Sequence, residues 1–234
     1  MEGLRIVPTR MASHLEMAID KDLSSLEFIP LKQPRQRRSH ASYERMLKAA
    51  DRLLADRDFD SVSIRDLAGV AGCSVGSFYH RFETKERFFQ TLIQNMIERR
   101  EAQVRETFAT VPLADLPSSL ARGALANHRA YKGLLRSVIK KHLEGMGSWE
   151  PISQMGRRIM TQFRRRVAES RGTGLSPLEA ERIDFAFVWL YGLLANSLLG
   201  LNTIFGMETA FFEEEAVRAF TQAIERALRR DAEH

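Results

Sequence analysis

Between Ser63 and Phe82 the chain reads Ser-Ile-Arg-Asp-Leu-Ala-Gly-Val-Ala-Gly-Cys-Ser-Val-Gly-Ser-Phe-Tyr-His-Arg-Phe, and few folds accommodate that order. Ser63 can accept a backbone N–H as a helix N-cap, and Asp66 stands three residues on, a short-armed capping box. Ile64, Leu67, Ala68 and Ala71 recur at helical spacing and make one apolar face. Gly72 stands where the chain must enter the left-handed region to turn. Ser74 caps a second helix, in which Phe78 and Phe82 are spaced to pack inward. Val75, Gly76, Ser77, Tyr79 and His80 then fall on the outer face. Two short helices across a tight turn are how a protein seats a helix in the DNA major groove. A helical hairpin without a nucleic-acid role is the blander reading of the same residues.

The match extends beyond the hairpin. Phe59, Ser61 and Ser63 precede Ala71-Gly72-Cys73-Ser74-Val75-Gly76-Ser77-Phe78-Tyr79-His80-Arg81-Phe82, and Lys85 follows. From about Ser42 to Leu92 the chain resembles the N-terminal DNA-binding domain of the TetR/AcrR family of transcriptional regulators. The resemblance covers about a fifth of the chain. Cys73 stands where the family commonly has valine, and Arg81 inserts a charge between His80 and Phe82. The resemblance implies a homodimer reading an inverted repeat in double-stranded DNA. It also implies an effector pocket among the middle helices, and dimerisation through the last two long helices.

The outward residues have chemistry suited to a groove. Val75 can meet a thymine methyl, while Ser77 and His80 can hydrogen-bond base edges or phosphates. His80 can equally serve only to support the helix end. Gly76 lets the backbone approach closely. Tyr79 and Lys85 match family positions that contact phosphate, and Ser63 and Arg65 are expected backbone contacts. Ser74 completes the expected set. No bidentate arginine–guanine contact is available unless Arg65 reaches a base, so the residues do not spell an operator. Arg37 and Arg38, with Arg35, form a basic arm before a first helix expected from about Ser42 to Arg57. Such an arm suits the minor groove or a phosphate, and serves equally as a solvated linker.

Charge is unevenly distributed. Residues 35–100 carry thirteen Lys/Arg against nine Asp/Glu, residues 101–174 thirteen against six, and residues 175–234 five against ten. A basic DNA-binding segment supplies salt-dependent affinity for phosphates, and an acidic C-terminal segment does not. The excess over residues 101–174 suits an anionic amphipathic effector, although Arg157, Arg158, Arg164, Arg165 and Arg166 also fit a solvated helix face. The single cysteine excludes an intrachain disulfide and fits a reducing, cytoplasmic setting. No secretory signal pattern is present at the N-terminus.

The rest of the chain reads as all-α. Three parts are expected: an N-terminal extension with its basic arm over 1–41, a helix-turn-helix domain over 42–90, and an effector-binding and dimerisation domain over 91–234. A short helix is expected near Met11–Lys21. A long helix starts at Thr84, a break falls near Tyr131-Lys132-Gly133, and a helix spans about Glu150 to Ser170. Ser176-Pro177-Leu178-Glu179 starts another helix, expected to reach about Phe205. The last helix runs from about Thr209 to Arg230.

From Phe185 to Met207 no residue is charged. That length could span a bilayer, but its glycines and asparagines and the lack of flanking basic clusters argue against it. An all-apolar helix in a soluble protein must be covered on every side. A second copy is therefore the expected cover, through Phe185, Trp189, Leu193, Asn196, Phe212, Phe220 and Ile224. The expected effector-lining residues are His128, Met146, Trp149, Met155, Phe163, Trp189 and Tyr191, each of which can also be ordinary core.

No zinc spacing, His-Glu-x-x-His or phosphate-binding glycine loop occurs, so neither a metal nor a cofactor is expected, and no enzyme. A dimeric repressor released by an apolar or amphipathic small molecule is the leading expectation. An activator of the same family and a membrane-associated helical protein are the alternatives.

Overall fold

In the computed structural model, residues 37–145, 149–200 and 206–229 are described. Among them the chain forms nine α-helices and no strand. In chain order these are α1 (Arg37–Leu53), α2 (Ile64–Ala71), α3 (Val75–Phe82), α4 (Lys85–Thr110), α5 (Leu116–Ala130), α6 (Lys132–Leu143), α7 (Glu150–Arg171), α8 (Pro177–Leu198) and α9 (Ala210–Leu228). A single 3-10 turn, Phe59–Ser61, links α1 to α2.

The helix boundaries follow their caps. Ser63 accepts from the Asp66 amide at 3.1 Å, and Asp66 accepts from the Ser63 amide at 3.1 Å, closing the capping box at α2. Ser74 caps α3 through the Ser77 amide, and Thr84 caps α4 through the Arg87 amide. Gly72 takes φ +63°, which relieves any side chain from the left-handed turn between α2 and α3. Ser176 and Glu179 close a second capping box at α8, with Pro177 in its first turn.

Several boundaries depart from the sequence-based expectations. α1 begins at Arg37, so Arg37 and Arg38 lie in its first helical turn and do not form a free arm. Their side-chain contacts lie outside the described residues. α8 ends at Leu198, where Gly200 turns at φ +70°, well short of Phe205. No helix among the described residues is long and apolar enough to cross a membrane. The helix expected near Met11–Lys21 falls outside the described residues.

α1, α2 and α3 form a head closed by phenylalanines. Phe59, Phe78, Phe82, Phe88 and Phe89 are all buried, with ring centroids 4.6 to 5.1 Å apart for four of their contacts. Burying each ring contributes about 2 to 3 kcal/mol, and the tilted and edge-to-face geometry adds to that. α3 is too short to hold itself as a helix in water, so this aromatic base is what stabilises it.

The body is built from α4 to α9. α4 leaves the head and packs on α5 and α7, while α8 lies against α9, α5, α6 and α7. Phe163, Phe187 and Phe220 meet at its centre, Phe187 lying 5.6 Å from Phe163 and 5.1 Å from Phe220.

Candidate functional site

α3 presents one polar, accessible face. Phe78 and Phe82 point into the aromatic base, whereas Val75 is 39% exposed and Tyr79 47% exposed. Gly76, Ser77 and His80 are exposed beside them. The Tyr79 ring stands edge-on to Phe78 at 5.6 Å, so the half-exposed ring is braced by the buried one. Ser74 and Ser77 pair through their hydroxyls at 2.9 Å. Ser74 is therefore engaged as a cap, and the exposed Ser77 keeps spare hydrogen-bonding capacity. A Cβ at Gly76 would meet only the Ser74 hydroxyl oxygen, at 3.8 Å, so nothing inside the protein requires glycine there. Ser63 and Arg65 are exposed at the start of α2. Lys85 is turned toward the protein: its ammonium donates to the Asp60 carbonyl at 3.2 Å and lies 4.9 Å from the Phe59 ring centroid.

α6 clamps the head onto the body. Ser137 accepts a 2.8 Å hydrogen bond from the Phe59 amide. Arg136 and Lys140 both bind the Asp58 carboxylate. Lys132 reaches Asp56 at 3.4 Å, and Lys141 lies between Asp60 and Glu86 at 3.4 and 3.6 Å. Partial burial works to raise the Asp58 pKa, but the Lys140 and Arg136 hydrogen bonds prevail and hold it below the usual carboxylate range. Gly133, buried in the first turn of α6, lets that helix approach the Leu54 and Arg57 carbonyl oxygens so closely that a Cβ would clash with both.

Inside the body, α4, α5, α7 and α8 bring a polar group together. Arg100 of α4 is only 4% exposed, and its guanidinium lies against Gly123 of α5, where a Cβ would stand 2.5 Å from Nη1. Its described partners are the Leu120 carbonyl at 3.4 Å and the Tyr191 hydroxyl. His128 is 6.3 Å from Tyr191 between ring centroids, and Gly156 borders the tyrosine ring. His128 and Tyr191 lie deep in the body yet keep part of their surface uncovered. Burial lowers the His128 pKa to about 4, against the Ala124 carbonyl bond that would raise it, and the Arg100 charge lowers it further. Burial raises the Tyr191 pKa. Both rings are therefore neutral at pH 7.

This makes the fold acid-sensitive at His128 in a window above that of the carboxylates. The folded-state value of His128 lies below its ordinary value of 6.5, so the unfolded chain takes up the proton first. Its stabilising effect is complete above about pH 6.5 and is lost as pH falls toward 4. With allowance for the uncovered part of the ring, about 2 kcal/mol is expected to disappear across that window. Urea midpoints at pH 7 and 4.5 should show it in the native protein and a smaller loss in H128Q. Equal losses in the two proteins would refute it.

The other expected effector residues are scattered. Phe163 is completely buried core, and Met155, about two turns earlier on α7, is buried as well. Trp149 lies 6.3 Å from the His142 ring at the start of α7, and Met146 is outside the described residues. Trp189 is 38% exposed on the outer side of α8. Residues two apart on a helix differ by about 200° in direction, so Trp189 and Tyr191 do not line one space. Arg100 is the member that residue-by-residue reading missed. It sits in the stripe Leu92, Met96, Val104 and Phe108, a charged residue at an apolar position, and that is the signal that could have found it.

The expected dimer face also needs correction. Phe212, Phe220 and Ile224 are buried within the protomer, because α9 turns them onto α8 and α5. They are not available to a second copy. The accessible apolar strip is Leu178, Phe185, Val188 and Trp189, with Phe185 72% exposed. Ala223 and Ala227 of α9 continue it in a shallow groove edged by Glu181, Arg182, Arg226 and Arg229. Asn196 is exposed and Leu193 half-buried farther along α8.

Comparison with known proteins agrees with this geometry. Residues 46–92 match the profile of the family described as bacterial regulatory proteins, tetR family. Over 87 residues the chain is 33% identical to the HTH-type transcriptional repressor KstR2 of Mycolicibacterium smegmatis, a match covering 36% of this chain and 40% of that protein. The alignment thus spans about two fifths of the length of that curated relative. A TetR-family regulator structure from Mesorhizobium loti superposes with a TM-score of 0.62 at 18% identity, covering 82% of this chain and 98% of the other. The regulator FadR of Bacillus subtilis, solved with stearoyl-CoA, gives 0.57 at 15% identity, covering 78% and 99%. At these identities the structural likeness concerns the fold.

Proposed function

Since the chain is a member of the TetR family of bacterial transcriptional regulators, we propose that it acts as a homodimeric repressor that binds an inverted-repeat operator and is released by a small apolar or amphipathic effector. The outward face of α3 carries this reading: Val75, Gly76, Ser77, Tyr79 and His80 are accessible together on a helix fixed from beneath by buried phenylalanines. Such a helix can enter a major groove, and a second copy can present another one a helical turn of DNA away. The apolar strip from Leu178 to Trp189 is suited to pairing the two copies. The clamp from α6 to Asp56, Asp58 and Asp60 supports a mechanism of release. A shift among the body helices moves the head as a unit, so an effector that prefers one head spacing weakens DNA binding by its differential affinity for the two states. We take the residues from α1 to the start of α4 as the reading head and the rest as the effector and dimer body.

The test is a selection of fragmented genomic DNA on the purified full-length protein at moderate salt. A shared inverted repeat should emerge, bound by two protomers, with affinity falling steeply as salt rises. Recovery of no preferred sequence would overturn the proposal.

A further inference from the structure

We infer that Arg100 is the anchor for the carboxylate of an apolar-tailed monocarboxylic acid held between α4, α5, α7 and α8. The inference rests on the effector-responsive reading above and names the chemical class of the effector.

A buried cation is expensive unless a counter-charge accompanies it. Arg100 is nearly inaccessible, and no carboxylate among the described residues pairs with it. The other arginines that reach between elements of the body do have such partners: Arg129 with Glu213, Arg164 with Asp184, and Arg171 with Glu179. Arg100 is offered only neutral oxygens, from Leu120 and Tyr191. His128 beside it is neutral, so the local charge is +1.

The surroundings are also shaped for the group. Gly123 leaves the guanidinium a place that any side chain would occupy. Gly156 brings α7 alongside the Tyr191 ring without a side chain between them. His128 and Tyr191 keep part of their surface accessible and can add hydrogen bonds to a carboxylate that Arg100 binds through its planar fork. Past the polar group, Tyr191 stacks at 6.5 Å on Phe187, which meets Phe163, so a hydrocarbon or aromatic tail would lie against this apolar core. One cation with neutral neighbours matches one negative charge. A polyphosphate head would find no further cation there among the described residues.

The location links occupancy to the head. Arg100 is on α4, the helix that begins at Thr84 directly after α3. A carboxylate drawn to Arg100 and braced from α5 and α8 pulls on the one helix that enters the head.

The experiment is a thermal-shift and calorimetric titration of the full-length protein without DNA. The probes are acetate, benzoate, octanoate and decanoate, with benzyl alcohol, octanol and decanol as neutral matches and decanoyl-CoA as the thioester. At least one of the tailed acids should raise the melting temperature of the native protein by several degrees. Acetate and the matching alcohol should not. R100M should lose that shift by at least tenfold in affinity, and R100K should keep part of it. Ligand-free R100M should melt at or above the native temperature, because it removes an uncompensated buried charge; a merely structural arginine would give a lower melting point. No shift with any acid, an equal shift in R100M, or binding of decanoyl-CoA indifferent to R100M would each overturn the inference. Operator retention, assayed separately on the same proteins, shows whether the repressor reading survives that failure.

Discussion

G133A is expected to lower the unfolding free energy by about 3 kcal/mol, at the upper end of what overpacking usually costs. The reason is the nature of the atoms it would strike. A Cβ on Gly133 would overlap the carbonyl oxygens of Leu54 and Arg57, and both belong to the backbone. A side chain could rotate away, but these atoms yield only if the end of α1 and the start of α6 move apart. That separation stretches the 2.8 Å bond from the Phe59 amide to Ser137 and loosens Arg136 and Lys140 from Asp58. The head then loses its grip on the body. Urea melts should show the loss, and limited proteolysis should show new cleavage between Asp56 and Ser61. A melt indistinguishable from the native protein would show that this contact is not needed.

G76A is expected to divide folding from DNA binding. Gly76 lies inside the first turn of α3 with open space around it, so alanine should leave stability unchanged or raise it by about 0.5 kcal/mol through better helix propensity. Operator affinity should nevertheless fall about 100-fold. A methyl group that holds the helix off the groove costs each head about 1.4 kcal/mol, a factor of ten, and a twofold dimer suffers it twice. Gel-shift titration of the selected operator, alongside a thermal melt, checks both halves. Undiminished affinity would mean that α3 does not approach DNA through Gly76.

The head was largely legible in the chain. Ser63, Asp66, Gly72, Ser74 and Thr84 act within a few residues of themselves, and each does in the structure what its chemistry requires. Phe78 and Phe82 are inward and Val75, Gly76, Ser77, Tyr79 and His80 outward for the same reason, because helical spacing alone assigns the faces of so short an element. The body was legible as helices and much less as surfaces. Phe220 and Ile224 form an apolar stripe in α9, and a stripe records only that something covers it. Here the cover is the protomer's own α8 and α5, so the apolar strip left exposed is Phe185 and its neighbours.

Two residues mark where local rules stop. Gly133 reads in the chain as a break between helices, and a break does fall at Tyr131. Its larger use is close approach to a carbonyl pair more than seventy residues earlier, which no local pattern contains. Arg100 reads as one more charge on a long charged helix. Only the packing of α5 and α8 around α4 turns it into a buried cation beside neutral oxygens. The sequence by itself determined the caps, the turn, the helix order and the outward face of α3, because capping and helical periodicity are short-range and act within one element. The tertiary structure alone decided which apolar faces remain open, how the head is clamped, and where a charge is left buried, because burial and pairing depend on residues that are neighbours in space and distant in the chain.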